Sequence, residues 1–273
     1  MTPLATYSIV VAGLFGLLIG SFLNVVAYRV PAGISLLRES RCPHCDAPVK
    51  PWQNVPVLSW LFLRGRCASC GEAISMRYPI VEAITGLAFA GTTWWLLSTT
   101  ESGARWGLAV LVAAYLYFVS ISVVLTLIDL DTHRLPNVIV IPSYIVAAAL
   151  LTVGSALTAD WIALIRAGIG MAVLYVFYFL LRLARPDGMG GGDVKLAGVV
   201  GLYLGYIGWG ALAVGAFAAF VLGGVYGVVL MLTRRAGRKT AIPFGPWMIL
   251  GAWFGVLTGE QIARWYVGMF VTA

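Results

Sequence analysis

Residues 106–129 read WGLAVLVAAYLYFVSISVVLTLID, an apolar run that ends on an aspartate. The run carries no charge before Asp129, and an α-helix needs about 20 such residues to cross the hydrocarbon core of a bilayer. Uncharged runs of similar length occupy residues 7–28, 138–159 and 207–233. These runs predict an all-α polytopic membrane protein.

The composition of the whole chain leads to the same class. Hydrophobic residues make up 60% of it and charged residues 11%, whereas a soluble domain is roughly 45–50% apolar and about 25% charged. An ordinary soluble enzyme is therefore excluded. The first apolar run lacks the basic region and cleavage site of a signal peptide, so we expect it to be retained as a helix. About eight spans are predicted, at roughly 6–28, 79–98, 106–128, 138–157, 162–182, 194–209, 211–232 and 243–259.

The distribution of Lys and Arg predicts the orientation of these spans. The net charge of +7 could indicate nucleic-acid binding, but the basic residues lie in short segments between apolar runs. Membrane topology explains that pattern better, and we expect no nucleic-acid partner. All but Arg105, Arg166 and Arg264 fall in four segments on one side of the predicted membrane. By the positive-inside rule those segments face the cytoplasm, and both termini lie outside.

The segment 29–78 is the one sizeable soluble piece that we predict, and it contains all four cysteines. They form two C-x-x-C pairs, Cys42 with Cys45 and Cys67 with Cys70, separated by 21 residues. Two such turns suit four thiolates around one tetrahedral structural Zn²⁺. A pair of disulfides, a redox relay and unligated thiols are the alternatives, although a cytoplasmic location keeps thiols reduced.

Carboxylates at the ends of apolar runs are the candidate catalytic groups, because charges in a membrane segment are costly. Asp129 ends the third predicted span, and Asp193 closes GMGGGD at 188–193 and opens the sixth. Between the two aspartates the chain crosses the predicted membrane twice, so both are expected at the same depth on its cytoplasmic side. Two carboxylates in a poorly solvated site share a proton. That arrangement activates a water in aspartyl proteolysis.

The glycines before Asp193 suggest where a substrate would lie. Gly190, Gly191 and Gly192 carry no side chains, so an extended substrate backbone can approach them closely. Asp193 alone would be equally well explained as a helix N-cap. Asp131 is expected in a solvated loop, with any catalytic share left open. A proton- or ion-coupled transporter using these aspartates, and a zinc-ribbon scaffold on a membrane anchor, are the other classes considered.

Several motifs in order along the chain add a specific resemblance. They are GSFLNVVAYRVP (20–31), the two C-x-x-C pairs, RGRC (64–67), MRYPIVE (76–82), the Asp129 segment, GGGDVKL (190–196) and IPFGP (242–246). Together they resemble the type IV prepilin peptidases, GxGD aspartyl proteases of the bacterial inner membrane. The resemblance implies that Asp129 and Asp193 are the catalytic pair. It also implies cytoplasmic-side removal of a short basic leader, after a glycine, from type IV pilins or type II secretion pseudopilins.

The apolar runs, the cysteine-bearing segment and the Lys and Arg distribution predict a domain organisation, and the resemblance implies a second activity. A first membrane helix at 1–28, a zinc-binding domain at 29–78 and a membrane-embedded protease domain at 79–273 are expected, with periplasmic termini. Family members with the cysteine-bearing domain are usually assigned N-methylation of the new N-terminus from S-adenosylmethionine. A peptidase without this activity is the alternative.

Methyl transfer here would use an unfamiliar pocket, because the chain has no G-x-G-x-x-G motif. We expect that pocket where the zinc domain meets the membrane helices. Glu82 is the candidate base, with a salt bridge to Arg77 or Arg29 as its alternative role. The membrane lipid is the expected surrounding partner, and the oligomeric state is not predicted.

Overall fold

The computed structural model describes residues 2–99, 104–185, 188–233 and 243–271. Within those ranges the secondary structure is helical, apart from the isolated bridges Arg41–Pro48 and Arg66–Ala73. The elements are α1 (Pro3–Arg29), the 3₁₀ helix η1 (Pro51–Asn54), α2 (Leu58–Phe62), α3 (Arg77–Thr99), α4 (Arg105–Thr132), α5 (Asn137–Thr158), α6 (Trp161–Ala184), α7 (Gly191–Ile207), α8 (Trp209–Leu232) and α9 (Gly245–Val271).

The long helices of the described residues occupy the eight predicted positions. Six of them, namely α1, α3, α4, α5, α6 and α8, are long and apolar enough to cross a membrane. The prediction of an all-α polytopic membrane protein is thus confirmed. The basic cluster Arg234–Lys239, which contributed to the predicted orientation, lies outside the described residues.

The last helix differs from its prediction in length. It was expected to end at residue 259, but α9 continues to Val271. Glu260, which directly follows the predicted end, lies inside this helix. The Glu260 carboxylate in fact accepts hydrogen bonds from the backbone N–H groups of Gly210 and Ala211, at 2.9 and 3.1 Å. It satisfies the first turn of α8, whose N–H groups have no partners within their own helix.

The chain divides into two compact units. The first, called the N-terminal unit, comprises Met1–Gly103 and Tyr115–Val124. In this unit α1 packs closely on α3, because a Cβ on Gly20 would lie 2.8 Å from the Cα of Glu82. Small residues at such crossings let membrane helices approach closely. The amide of Asn24 also donates to the carbonyl of Tyr78 at 3.2 Å, near the start of α3.

The second unit, called the C-terminal unit, comprises Ala104–Ala114 and Leu125–Ala273. Its centre is α7, which is buried along most of its length from Val194 to Tyr206. Glycines let α6 approach it, since a Cβ on Gly205 would lie 2.6 Å from the carbonyl oxygen of Arg166. The guanidinium of Arg166 donates to the carbonyls of Gly205, Tyr206 and Ile207. Both aspartates of the candidate site belong to this unit.

Candidate active site

Asp129 lies near the C-terminal end of α4 and is only 4% exposed. Its Oδ2 accepts a hydrogen bond of 3.1 Å from the backbone N–H of Gly245, the first residue of α9. The positive end of the α9 dipole therefore faces this carboxylate. Helix α4 ends three residues later, where His133 adopts a left-handed conformation and donates its N–H to the carbonyl of Asp129.

Asp193 is the third residue of α7, and its side chain folds back over the glycines before it. Its Oδ2 accepts a hydrogen bond of 3.1 Å from the N–H of Gly190. Gly192, the residue before Asp193, faces the side chain of Leu135, which also lies beside Gly245, the residue that binds Asp129. Two aspartates 64 positions apart in sequence thus have surroundings that share the Leu135 side chain.

Leu135 connects the surroundings of the two aspartates. It lies in the short loop between α4 and α5, and its side chain would meet a Cβ on Gly192 at 2.8 Å and a Cβ on Gly245 at 3.5 Å. The same side chain therefore touches the glycine loop before Asp193 and the helix start that binds Asp129. Sequence reasoning missed Leu135, because an apolar residue in a loop carries no chemical signal.

Each of the three glycines faces a side chain of the protein itself. A Cβ on Gly190 would lie 3.1 Å from Oδ2 of Asp193, and one on Gly191 would clash with the guanidinium of Arg182. Gly192 faces Leu135. The glycines consequently allow close internal packing around Asp193, a requirement that the sequence alone did not reveal.

Helix α5 holds the first turn of α7. The ammonium of Lys195 donates to Oδ1 of Asn137 at 2.8 Å, and the hydroxyl of Tyr144 donates to the carbonyl of Lys195. Gly198, one turn later, leaves space for the Tyr144 ring. These contacts anchor the helix that carries Asp193. Asp131 is exposed, but it lies in the last turn of α4 and not in the loop that was expected, because the helix continues to Thr132.

The four cysteines gather in the N-terminal unit. The Sγ atoms of Cys42, Cys45, Cys67 and Cys70 all lie within 4.8 Å of one another, and Cys42 and Cys70 are 3.9 Å apart. Tetrahedral zinc with Zn–S bonds of about 2.3 Å places its sulfurs about 3.8 Å apart. The geometry and the donor set therefore fit a Zn²⁺ ion.

The two cysteine turns repeat the same backbone hydrogen bonds at a 25-residue offset. The N–H of Cys42 donates to the carbonyl of Ala47, as that of Cys67 donates to the carbonyl of Glu72. Positions 46 and 71, which are Asp and Gly, both have positive φ, at 53° and 74°. Each turn is therefore locally complete.

Backbone N–H groups affect the thiols unequally. Hydrogen bonds from the N–H groups of Cys70 and Ser69 lower the pKa of the Cys67 thiol to about 6. The Glu72 N–H also favours the thiolate of Cys70, but desolvation and the neighbouring thiols outweigh it and raise that pKa to about 12. A thiolate is the form that binds metal, so these N–H groups favour metal binding by Cys67.

Glu82 is buried in the N-terminal unit, with 7% of its surface exposed. Its Oε2 accepts a hydrogen bond of 2.7 Å from the N–H of Val57, the residue before α2. The guanidinium of Arg29 donates instead to backbone carbonyls, those of Ser35, Leu36, Arg38 and Glu39. Glu82 therefore ties the cysteine-bearing segment to α3.

Similarity to known proteins covers almost the whole chain. Residues 14–96 match the bacterial peptidase A24 N-terminal domain, and residues 116–228 match the type IV leader peptidase family. A prepilin leader peptidase/N-methyltransferase of Aeromonas hydrophila is 35% identical over 94% of this chain and 93% of its own length. This chain belongs to the type IV leader peptidase family.

Other leader peptidases show similar likeness. The prepilin leader peptidase/N-methyltransferase of Stutzerimonas stutzeri is 33% identical over 92% of this chain and 91% of its own. That of Bacillus subtilis (strain 168) is 31% identical over 94% and 96%. No solved structure is significantly similar to this chain. Asp129 and Asp193 lie within the range 116–228 that matches the leader peptidase family. Gly245, which binds Asp129, lies beyond that range.

Proposed function

We propose that this protein is an aspartyl endopeptidase that removes the leader from type IV prepilins or type II secretion pseudopilins. The observation that carries the proposal is that the Leu135 side chain lies beside both the loop before Asp193 and the residue that binds Asp129, in a chain of the leader peptidase family. Two close carboxylates share one proton. The ionised one takes a proton from the attacking water, and the protonated one polarises the scissile carbonyl.

The hydrogen bonds at the site give each carboxylate a fixed orientation. Gly245 N–H holds Oδ2 of Asp129, and Gly190 N–H holds Oδ2 of Asp193. The second carboxylate oxygen of one aspartate then contacts the attacking water, and that of the other contacts the substrate carbonyl. Fixed orientation matters because catalysis needs the reacting groups held close to their productive geometry. The loop Gly190–Gly192 is the proposed place for the substrate backbone, with Leu135 and Arg182 beside it.

We place the enzyme in the bacterial inner membrane, with Asp129, Asp193 and the cysteines on the cytoplasmic side. The support is the Lys and Arg distribution, which leaves Arg105, Arg166 and Arg264 on the other face. The proposed zinc ion is structural. Cys42, Cys45, Cys67 and Cys70 would hold it, and it would stabilise the segment between α1 and α3.

The proposed second activity is N-methylation of the newly exposed N-terminal residue from S-adenosylmethionine. Its support is that the similar proteins are named both leader peptidase and N-methyltransferase. Glu82 is the proposed base. A free α-amino group, with a pKa of about 7.7–8.0, is already partly deprotonated near neutral pH, so one carboxylate is sufficient to complete the transfer.

The decisive experiment incubates the purified protein with a prepilin and follows the substrate mass. The wild-type protein should produce a leader-sized loss and then, with S-adenosylmethionine, a gain of one methyl group. The Asp129→Asn variant should produce neither from the full prepilin. It should still methylate a substrate already trimmed to its mature N-terminus. Normal cleavage by Asp129→Asn and Asp193→Asn would refute the aspartyl mechanism.

A further inference from the structure

Helix α2 of the N-terminal unit is apolar on both of its faces. Its inner face carries Trp60, whose indole N–H donates to the carbonyl of Ile74 at 3.0 Å and whose ring covers Gly65. Its outer face carries Leu58, Leu61 and Phe62, which are 52%, 57% and 83% exposed. These three residues lie at i, i+3 and i+4 and therefore share one side of the helix.

An aromatic residue and several cations lie in the segments directly before and after α2. The 3₁₀ helix η1 packs against α2 and presents Trp52, which is 65% exposed. The ammonium of Lys50 lies 5.1 Å from the centre of the Trp52 ring. Lys50, Arg64 and Arg66 are all exposed, and the ion pairs described for this part of the chain belong to Arg41, with Glu39 and Asp46. Exposed positive charge thus lies on both sides of α2 along the chain.

The segment is also held at the membrane by its connections. It leaves α1 at Arg29 and enters α3 at Arg77, and both helices are long and apolar enough to be spans. A lipid surface is therefore always within reach of both ends. Trp and Phe beside Lys and Arg are the residues that seat short helices at the interface of anionic bilayers.

From these observations we infer that the outer face of α2, together with Trp52, docks on the anionic lipid surface of the membrane. Leu58, Leu61 and Phe62 enter the level of the headgroups, and Lys50, Arg64 and Arg66 bind the lipid phosphates. The second cysteine turn is then held near the bilayer, because Trp60 joins the opposite face of α2 to Ile74.

The test uses the full chain in nanodiscs and measures deuterium exchange of the backbone amides of α2. Exchange should be slower in nanodiscs that contain phosphatidylglycerol than in nanodiscs of phosphatidylcholine alone. One cation near an anionic surface favours the bound state about fivefold, so Lys50→Gln should lower the protection by up to about that factor. Phe62→Ser should lower it in both lipids.

Arg41→Gln is the matched control, since it removes the same charge from a residue that is already ion-paired. It should leave the protection of α2 unchanged. Exchange in residues 40–49 should stay the same in every variant, which shows that the cysteine turn is folded. Equal protection in the two lipids would mean that another part of the protein covers this face, and would overturn the inference. An effect of Arg41→Gln as large as that of Lys50→Gln would overturn it too.

Discussion

The backbone N–H of Gly245 donates directly to Oδ2 of Asp129, which joins the first residue of α9 to the end of α4. A Cβ at position 245 would lie 2.7 Å from that oxygen. The position thus requires glycine for space, and the orientation of the buried carboxylate depends on it.

Gly245→Ala should therefore impair cleavage, because the added methyl group displaces the Asp129 carboxylate. We expect kcat to fall about tenfold or more, since a misplaced acid or base loses part of its usual 10²–10⁴-fold contribution. KM for the prepilin should change little. Gly224→Ala is the matched control, because nothing lies within 4 Å of a Cβ there. Equal kcat values for the two variants would contradict the proposed role of Gly245.

The two aspartates should lose activity as one unit. Asp129→Asn and Asp193→Asn should each reduce kcat by about 10²–10⁴-fold. The double variant should be barely worse than either single variant, because groups that act together are not additive. Single-turnover cleavage of a purified prepilin measures this. If the kcat losses of the two single variants multiplied in the double variant, the two aspartates would act independently and would not share a proton.

Gly192→Ala should impair both folding and cleavage, because its Cβ would lie 2.8 Å from the Cβ of Leu135. The double variant Gly192→Ala with Leu135→Gly should recover part of the thermal stability and part of the cleavage, since the second change removes the Cβ of Leu135 that the added methyl group would meet. Melting temperature and kcat, measured together, test this. If cleavage stays lost while stability returns, the space at Gly192 serves the substrate instead.

Glu82→Gln separates the two roles that Glu82 can have. The glutamine keeps an oxygen that can accept from the Val57 N–H, but it is not a base. If Glu82 is the methyl-transfer base, Glu82→Gln should stop methylation of a trimmed substrate and leave prepilin cleavage unchanged. Glu82→Ala should lose the tie to Val57 as well and lower the melting temperature. Normal methylation by Glu82→Gln would assign Glu82 a structural role alone.

The cysteine cluster should bind about one Zn²⁺ per chain, which metal analysis of the purified protein measures. Cys67→Ser should lower the metal content and expose residues 40–74 to proteolysis. Affinity should fall as the pH falls, because protons compete with the metal for thiolates. If the metal-free protein resists proteolysis as well as the untreated protein does, zinc does not stabilise this segment.

Apolar run length predicted the position of every long helix among the described residues, and the two C-x-x-C pairs predicted the cysteine cluster. Both signals are local, so a single sequence carries them. The contacts of Leu135, Asn137 and Gly245 are different, because each depends on residues distant in sequence that carry no chemical motif together. The length of α9 was missed for a related reason, since the partners of Glu260 lie on another helix.

The 25-residue repeat of the cysteine turns bears on the order of assembly. Each turn closes through hydrogen bonds inside ten residues, from Ser40 to Val49 and from Gly65 to Ile74. Both can form as soon as their own residues leave the ribosome. A zinc ion would then join two finished halves and act as a crosslink, restricting the unfolded chain as a disulfide does. Unlike a disulfide, this crosslink can form in a reducing cytoplasm, and a chelator can open it.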